Sequence, residues 1–271
     1  MRAMTRNGLL IWLAAVILIA GFAYWRDSAR RTLGDTDFVT GYALLAVLLF
    51  LTLYNTRKKL PMVPLGRVAT WLTLHVIVGV SSLVLYWLHT GSLWPLGFAD
   101  RVLAALFLLV CASGIIGYGL QLAIPRRLTQ HGSEIIYERI PAEIVRLREA
   151  SEHEVLAATD ASGHDTFGRY YVRTLAWYFA RPRFMASHML GSGRPRFWLR
   201  RRIETMAQFL SPAERQHLER LAELGQAKTV VDAQYALQTL LKGWTIIHVP
   251  LAAAMLVFSA WHVILVHVYA R

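Results

Sequence analysis

The sequence predicts an all-α integral membrane protein, a helical bundle of five transmembrane helices with a cytoplasmic, mostly helical insertion. Of the 271 residues, 55% are hydrophobic and only 17% are charged, a balance far from that of a soluble domain. Five segments are also long enough to cross a hydrocarbon layer of about 30 Å and contain no Asp, Glu, Lys or Arg. These segments are residues 8–25, 38–54, 68–89, 102–124 and 244–269.

The first segment has the polarity of a signal peptide, because Arg2 and Arg6 precede its apolar run. However, Tyr24, Trp25 and Arg26 follow at the point where a small-residue cleavage site should lie. We therefore expect the first segment to be retained as a membrane span.

The region between the fourth and fifth segments is expected to be peripheral to the membrane. It is too polar to cross a bilayer and too rich in aromatic residues for a disordered tail. Residues 141–158 have a helical pattern, and Ser211 with Glu214 has the spacing of a capping box that starts another helix. The predicted division is residues 1–124 for the first four membrane helices, 125–243 for the cytoplasmic peripheral region and 244–271 for the fifth membrane helix.

The net charge of +12 is concentrated in particular connections between the spans. Basic residues fill the second connection and the 125–243 region, whereas residues 90–100 contain none. This distribution is typical of topology signals rather than of nucleic-acid binding, so no nucleic-acid partner is expected. It predicts a multi-pass protein of the cytoplasmic (inner) membrane with a cytoplasmic N-terminus, although the arginines of the first connection depart from the pattern.

Four histidines lie inside two apolar segments at one shared interval. His75 and His89 are in the third segment, and His248 and His262 are in the fifth. At about 100° and 1.5 Å per residue, fourteen residues return a helical side chain to within roughly 40° of the first, ~21 Å further along the axis. One face of each helix should therefore carry an imidazole near each membrane surface.

Five spans give the third and fifth helices the same direction, which decides how the histidines pair. We expect His75 with His248 near the cytoplasmic side and His89 with His262 near the outer side. Two neutral imidazoles at each level are what a haem iron needs for six-coordination. Because Cys111 is the single cysteine, no motif for covalent attachment exists. The sequence predicts two haem b groups, with all four histidines as metal ligands.

Several other residues in the spans have two interpretations. Glycines that would admit a porphyrin or allow close helix packing are Gly79, Gly114, Gly117 and Gly119. Trp71 and Trp244, each four residues before a predicted ligand, fit an interfacial belt, which we favour, or the flank of the inner haem. His267 is expected at the outer interface, with a contact to quinone or to a partner as the alternative. Pro250 removes one backbone donor from the fifth helix.

Basic residues suggest two further contacts. The densest patch comprises Arg194, Arg196, Arg200, Arg201 and Arg202. Its default partner is anionic lipid head groups, and an acidic redox protein is the alternative. The candidates for binding haem propionates near the membrane surface are Arg67, Arg101 and Arg126.

The two histidine-bearing helices resemble those of the transmembrane di-haem cytochromes b, such as the cytochrome b subunit of respiratory quinol:cytochrome c oxidoreductases. The resemblance covers residues 68–89 and 244–269. In that family the ligands lie on the second and fourth of eight helices, whereas here they lie on the third and fifth of five, and the family's Pro-Glu-Trp-Tyr motif is absent. The five-helix plan is similar to the quinol-linked membrane anchor of respiratory nitrate reductase. The resemblance implies two b haems and transmembrane electron transfer.

We therefore expect a di-haem b-type cytochrome that moves electrons across the membrane between the quinone pool and a partner redox subunit. The partner would be an iron–sulfur, flavin or c-type cytochrome protein, and this chain would be the quinone-reactive membrane subunit of an oxidoreductase complex. Membrane lipid is the second expected partner. One alternative is a non-haem membrane metalloenzyme, which needs clustered ligands such as His-x-x-x-His. Another is a transporter or assembly factor that handles haem or protons without permanent ligation.

Overall fold

The computed structural model describes residues 6–32, 36–59, 67–129 and 135–269, and within these ranges it contains no strand. Arg2 lies outside the described residues. The side of the membrane on which the N-terminus lies stays a prediction. The helices are α1 (Arg6–Arg31), α2 (Asp37–Lys59), α3 (Val68–Thr90), α4 (Phe98–Thr129), α5 (Ile140–Ser162), α6 (Thr166–Tyr170), α7 (Ala176–Phe179), α8 (Met185–Met189), α9 (Arg194–Ala207) and α10 (Pro212–Tyr269). A 3₁₀ turn (Tyr137–Arg139) precedes α5, and a π-helical turn (Tyr171–Leu175) joins α6 to α7.

Five helices, namely α1 to α4 and α10, are long and apolar enough to cross a membrane. The predicted all-α bundle with five spanning helices is therefore confirmed. The helices are longer than the predicted apolar segments, because hydropathy detects only the part suited to hydrocarbon and a helix can continue into water. Accordingly, α4 continues through Pro125, and α10 runs for 58 residues and is continuous through Pro250.

The chain divides into two compact units. The first unit comprises Met1–Gly119 and Trp244–Arg271. Its core is built by α2, α3, α4 and α10, whose buried apolar side chains are Leu44, Leu48, Leu85, Tyr86, Ala104, Phe107 and Met255. The rings of Tyr86 and Phe107 stack at 4.6 Å between α3 and α4. The two predicted ligand helices, α3 and α10, therefore contribute to one shared core.

The second unit, Leu120–Gly243, has a core rich in aromatic side chains. Its largest buried cluster includes Phe167, Tyr171, Tyr178 and Phe179. Gly163, with a φ of 69°, ends α5 in the left-handed conformation that glycine adopts at low cost. These short helices, separated by glycine and proline, match the broken pattern that the sequence shows in this region.

The start of α10 is fixed by the predicted capping box. The backbone N–H of Ser211 donates to Glu214 Oε2 at 2.9 Å, and the Ser211 hydroxyl donates to the same oxygen at 2.8 Å. The prediction of a helix start at this position is confirmed. Four turns later, Lys228 and Asp232 form a fully buried ion pair at 2.6 Å. Lys228 also donates to the Arg181 carbonyl, so the pair anchors α10 within the second unit.

Candidate functional site

His89 of α3 and His262 of α10 face each other in the first unit. Their ring centroids are 6.4 Å apart and their planes are nearly perpendicular, at 88°. Both side chains are half-buried. The expected juxtaposition of these two histidines, which follows from parallel helices, is therefore present. We call these two residues the His89 pair.

The proton on His89 is positioned by Thr40 of α2. His89 Nδ1 lies 3.2 Å from the Thr40 hydroxyl, and that hydroxyl donates its single hydrogen to the Asp37 carbonyl at 3.0 Å. The hydroxyl can therefore only accept from His89, so Nδ1 carries the proton and Nε2 carries the ring's lone pair. Gly41 allows this approach, because a Cβ there would lie 3.0 Å from His89 Cε1.

His262 is oriented by a carboxylate at the start of α4. Its Nδ1 lies 3.5 Å from Asp100 Oδ1. A carboxylate accepts hydrogen bonds, so this contact also favours a proton on Nδ1 and a lone pair on Nε2. A carboxylate behind a histidine is a recurring way to orient a metal-binding imidazole and to raise its basicity.

His75 and His248, the predicted second level, contact different helices. His75 Nδ1 lies 3.1 Å from the Leu51 carbonyl of α2, which can only accept, and the Tyr54 ring lies 5.2 Å from the His75 ring. We call His75 and His248 the predicted His75 pair. Their pairing with each other stays a prediction.

The surroundings of His248 come mainly from α4. Its Nδ1 lies 2.7 Å from the Ser113 hydroxyl, which donates its hydrogen to the Val110 carbonyl at 2.9 Å. By the argument made for Thr40, the Ser113 hydroxyl accepts from Nδ1. The Trp244 ring stacks on His248 at 5.2 Å, and its Nε1 donates to the Ser113 carbonyl. Trp244 thus packs inside the first unit against α4, while its position relative to the membrane surface stays a prediction.

His75, His89 and His248 thus place Nδ1 within hydrogen-bond distance of a protein oxygen, and His262 Nδ1 lies 3.5 Å from a carboxylate oxygen. This common arrangement favours a lone pair on Nε2 of each ring. The acceptors Thr40, Leu51, Asp100 and Ser113 were not identified from the sequence. They lie on helices other than those of the histidines, so no spacing along the chain could have indicated them. Their arrangement suits neutral imidazoles that coordinate a metal through Nε2.

The glycines of the spans divide into two classes. A Cβ at Gly117 would collide with the Trp244 ring, and one at Gly114 would lie 3.7 Å from His248 Cε1. Close packing therefore explains Gly117, whereas a Cβ at Gly114 would make only an ordinary van der Waals contact. At Gly79 and Gly119, a Cβ would meet no atom within 4 Å among the described residues. Gly79, one turn after His75, accordingly leaves space beside the helix face that carries both α3 histidines.

The remaining predicted contacts are distributed around the first unit. His267 Nε2 lies 2.8 Å from the Tyr42 hydroxyl, and His267 Nδ1 lies 2.8 Å from the Val263 carbonyl. Arg101 donates to the Pro95 carbonyl at 3.0 Å. Trp71 stacks on Phe50 of α2. Arg67 is exposed, and Arg126 lies in the second unit.

The basic patch on α9 belongs to the second unit. Its arginines are exposed, and those at 200 and 201 lie 5.9 and 5.8 Å from the exposed ring of Phe197. Pro195, Leu199 and Met206 form the buried face of the same helix. This division of polar and apolar faces agrees with the expectation of a surface-binding patch, while the identity of its partner stays a prediction.

Comparison with protein-family models, with curated proteins and with solved structures finds no match for this chain. Among the described residues, there is also no group of three or more His, Cys, Asp or Glu side chains arranged to hold a metal ion. The four histidines and their neighbours are therefore the candidate functional residues of this protein.

Proposed function

We propose that this protein is a di-haem b-type cytochrome that transfers electrons across a membrane between the quinone pool and a partner redox subunit. The His89 pair would hold one haem and the predicted His75 pair the other. The observation that carries the proposal is the common orientation of the four rings. Each ring has Nδ1 directed at a protein acceptor, so each has its metal-binding lone pair on Nε2.

The residues at the His89 pair fit the group. Metal–imidazole bonds of about 2 Å on both sides of an iron would place the two ring centres about 6 Å apart. The observed separation is 6.4 Å.

The protein's contribution would be ligation, orientation and insulation. A bound haem supplies one-electron exchange between ferric and ferrous iron, and two strong axial nitrogens favour this over oxygen chemistry. The histidines hold the iron, while Thr40, Asp100 and Ser113 keep the rings from rotating. The two levels are ~21 Å apart along the helix axis, so together they would carry an electron through most of an apolar layer of about 30 Å.

The quinone is proposed to approach from the lipid near the His89 pair. Tyr42 and His267 form a hydrogen-bonded dyad there at 2.8 Å, and both are exposed on the surface of the first unit. Tyr42 follows Thr40 by two residues, and His267 follows His262 by five. A lipid-soluble quinol would therefore meet the Tyr42 hydroxyl oxygen, which can accept one of its hydroxyl hydrogens, close to an electron acceptor. A separate redox subunit would exchange electrons at the other end.

The decisive experiment is an absorption spectrum of the purified full chain, with quantitation as the pyridine haemochrome. We expect about two low-spin b haems per chain. A protein without haem contradicts the proposal, and stoichiometric iron or zinc without porphyrin would instead support the non-haem metalloenzyme. Haem that is lost on gel filtration would support a transporter or assembly factor.

The proposed location is the inner membrane with a cytoplasmic N-terminus, which puts Arg271 outside. Alkaline phosphatase fused after Arg271 should be active, whereas the same enzyme inserted after Gly163 in the second unit should be inactive. The reverse activities would invert the orientation without affecting the assignment of the histidines.

A further inference from the structure

Arg26, near the end of α1, has a buried polar atom that requires an acceptor. Its Nε is buried, and among the residues that the structure describes it has no hydrogen-bond partner. The side chain as a whole is half-buried. A guanidinium N–H removed from water without an acceptor is costly, so this atom is a candidate to bind an acceptor that the described residues do not supply.

The two carboxylates of the described residues that act on Arg26 are already held by other arginines. Asp27 accepts from Arg31 Nη2 at 2.7 Å, and Asp37 accepts from Arg30 Nη2 at 3.1 Å. Both carboxylates and the charge of Arg30 act on Arg26 electrostatically, but none of them accepts from its Nε. Arg26 therefore adds a positive charge beyond the two ion pairs.

Arg26 lies at the same end of the bundle as the His89 pair. Asp37, whose charge acts on Arg26, accepts through its carbonyl from Thr40, and the Thr40 hydroxyl contacts His89. Phe22, one turn earlier on α1, packs against the core built by α2, α3, α4 and α10. This part of α1 thus faces the bundle at the level where Thr40 contacts His89.

We propose that Arg26 binds a carboxylate of the macrocycle held by the His89 pair. This inference rests on the proposed function, since haem b carries two propionate carboxylates that need cations near the membrane surface. A planar guanidinium matches a carboxylate with two parallel hydrogen bonds, one of which can come from Nε. The sequence analysis pointed instead to Arg67, Arg101 and Arg126, although Arg26 follows the first predicted segment just as directly.

The test is a redox titration of the full chain in detergent for the variants Arg26→Gln and Arg26→Lys. Loss of a positive charge beside the iron stabilises the ferric form. In Arg26→Gln the ferrous-to-ferric ratio of the haem at the His89 pair should therefore fall about tenfold at a fixed applied potential. For a one-electron couple this corresponds to a reduction potential about 59 mV lower. The other haem should not change. Arg26→Lys should keep most of the potential.

The matched control is Arg31→Gln, which removes an exposed arginine of the same helix that is bonded to Asp27. It should leave both potentials at their wild-type values. If Arg26→Gln fails to accumulate, the test uses the propionate bending band in the resonance Raman spectrum of Arg26→Lys. Loss of the paired hydrogen bonds should move that band in Arg26→Lys. Arg31→Gln should leave the band at its wild-type position.

The inference is overturned if the Arg26 variants match Arg31→Gln in potential and in the Raman band. Loss of a bound phospholipid in native mass spectrometry, without either change, would show that a lipid phosphate occupies Arg26 and would also overturn it. These failures are distinct from failure of the proposed function, in which the wild-type chain would contain no haem.

Discussion

The two histidine levels share one interval in the sequence but differ in what holds them. At the His89 pair, the acceptors are the Thr40 hydroxyl and the Asp100 carboxylate, and the charge of Arg26 acts on the same level. Charged groups are therefore among the surroundings of this pair.

At the predicted His75 pair, the acceptors are neutral. They are the Leu51 carbonyl and the Ser113 hydroxyl, and aromatic rings of Tyr54 and Trp244 each lie 5.2 Å from a histidine. Equal spacing thus does not produce equal sites. We expect the two haems to differ in potential, and we expect charge substitutions to act on the His89 pair and packing substitutions on the His75 pair.

The largest expected effect comes from removing one axial ligand. His89→Ala should lower the haem content from about two to about one per chain, with the remaining spectrum that of the other level. The physical reason is that each iron depends on its own two nitrogens. Pyridine haemochrome quantitation and low-temperature spectra measure this, with His267→Ala as the control that keeps both haems. Equal loss of both haems from His267→Ala would contradict the ligand assignment.

A packing substitution should act on the other level. Gly117→Ala places a methyl group inside the Trp244 ring position, so Trp244 must leave its contact with His248. Overpacking of this kind costs about 1–3 kcal/mol. Thermal unfolding in detergent should occur at a lower temperature, with perturbation confined to the His75-level spectrum. Gly119→Ala is the matched control, since nothing lies within 4 Å of its Cβ among the described residues. Equal behaviour of the two variants would reject this packing argument.

Removal of the carboxylate behind His262 should shift one potential only. Asp100→Asn makes the His262 imidazole a less basic ligand for the metal and removes a negative charge. Both changes stabilise the ferrous form of a haem at the His89 pair. We expect an upward shift of up to about 59 mV, a tenfold change in ratio. Redox titration measures it. Ser113→Ala should give a smaller change confined to the other level, and a shift of both haems in either variant would remove the distinction between them.

The smallest effect is expected in the second unit, which contains none of the four histidines. The hydrogen bond from His217 Nδ1 to Glu154, at 2.9 Å, and the nearby Arg220 hold the pKa of this carboxyl below its usual value. The resulting stability is present above the ordinary carboxyl pKa and is lost as the pH falls through the lowered native pKa. Glu154→Gln should thus cost about 1 kcal/mol or less at neutral pH and nothing in strong acid.

Hydrogen exchange of α5 peptides across a pH series measures this loss, and the haem spectra serve as the internal control. Altered haem signals in Glu154→Gln would show that the second unit affects the histidine levels. A penalty that persists in strong acid would show that Glu154 acts through its shape rather than its charge.

The sequence predicted the elements whose signals are local. Long apolar runs without charge identify the five spans, and the Ser211 capping box identifies the start of α10, because each signal lies within one segment. The interval between His248 and His262 is local in the same sense. It predicts a shared helix face without knowledge of any neighbour.

The sequence could not predict the contacts made between helices. Thr40 and Ser113 are common residue types in apolar spans, and only the packed structure shows that their hydroxyls meet imidazoles. Arg26 was used as evidence against a cleavage site, although its position beside His89 gives it a different importance. Trp244 was assigned by its distance from the end of an apolar run, which does not say whether a side chain points toward lipid or toward α4.

The hydroxyls of Thr40 and Ser113 each have a single hydrogen, and a backbone carbonyl of the same helix takes it. A histidine opposite such a group cannot exchange its tautomer without breaking a bond inside the neighbouring helix. Folding alone would therefore preorganise these two imidazoles, and an arriving metal complex would need neither a ring flip nor a proton relocation at either of them. The entropy cost of ordering the two imidazole rings is incurred during folding, so less binding free energy is lost when the metal complex binds.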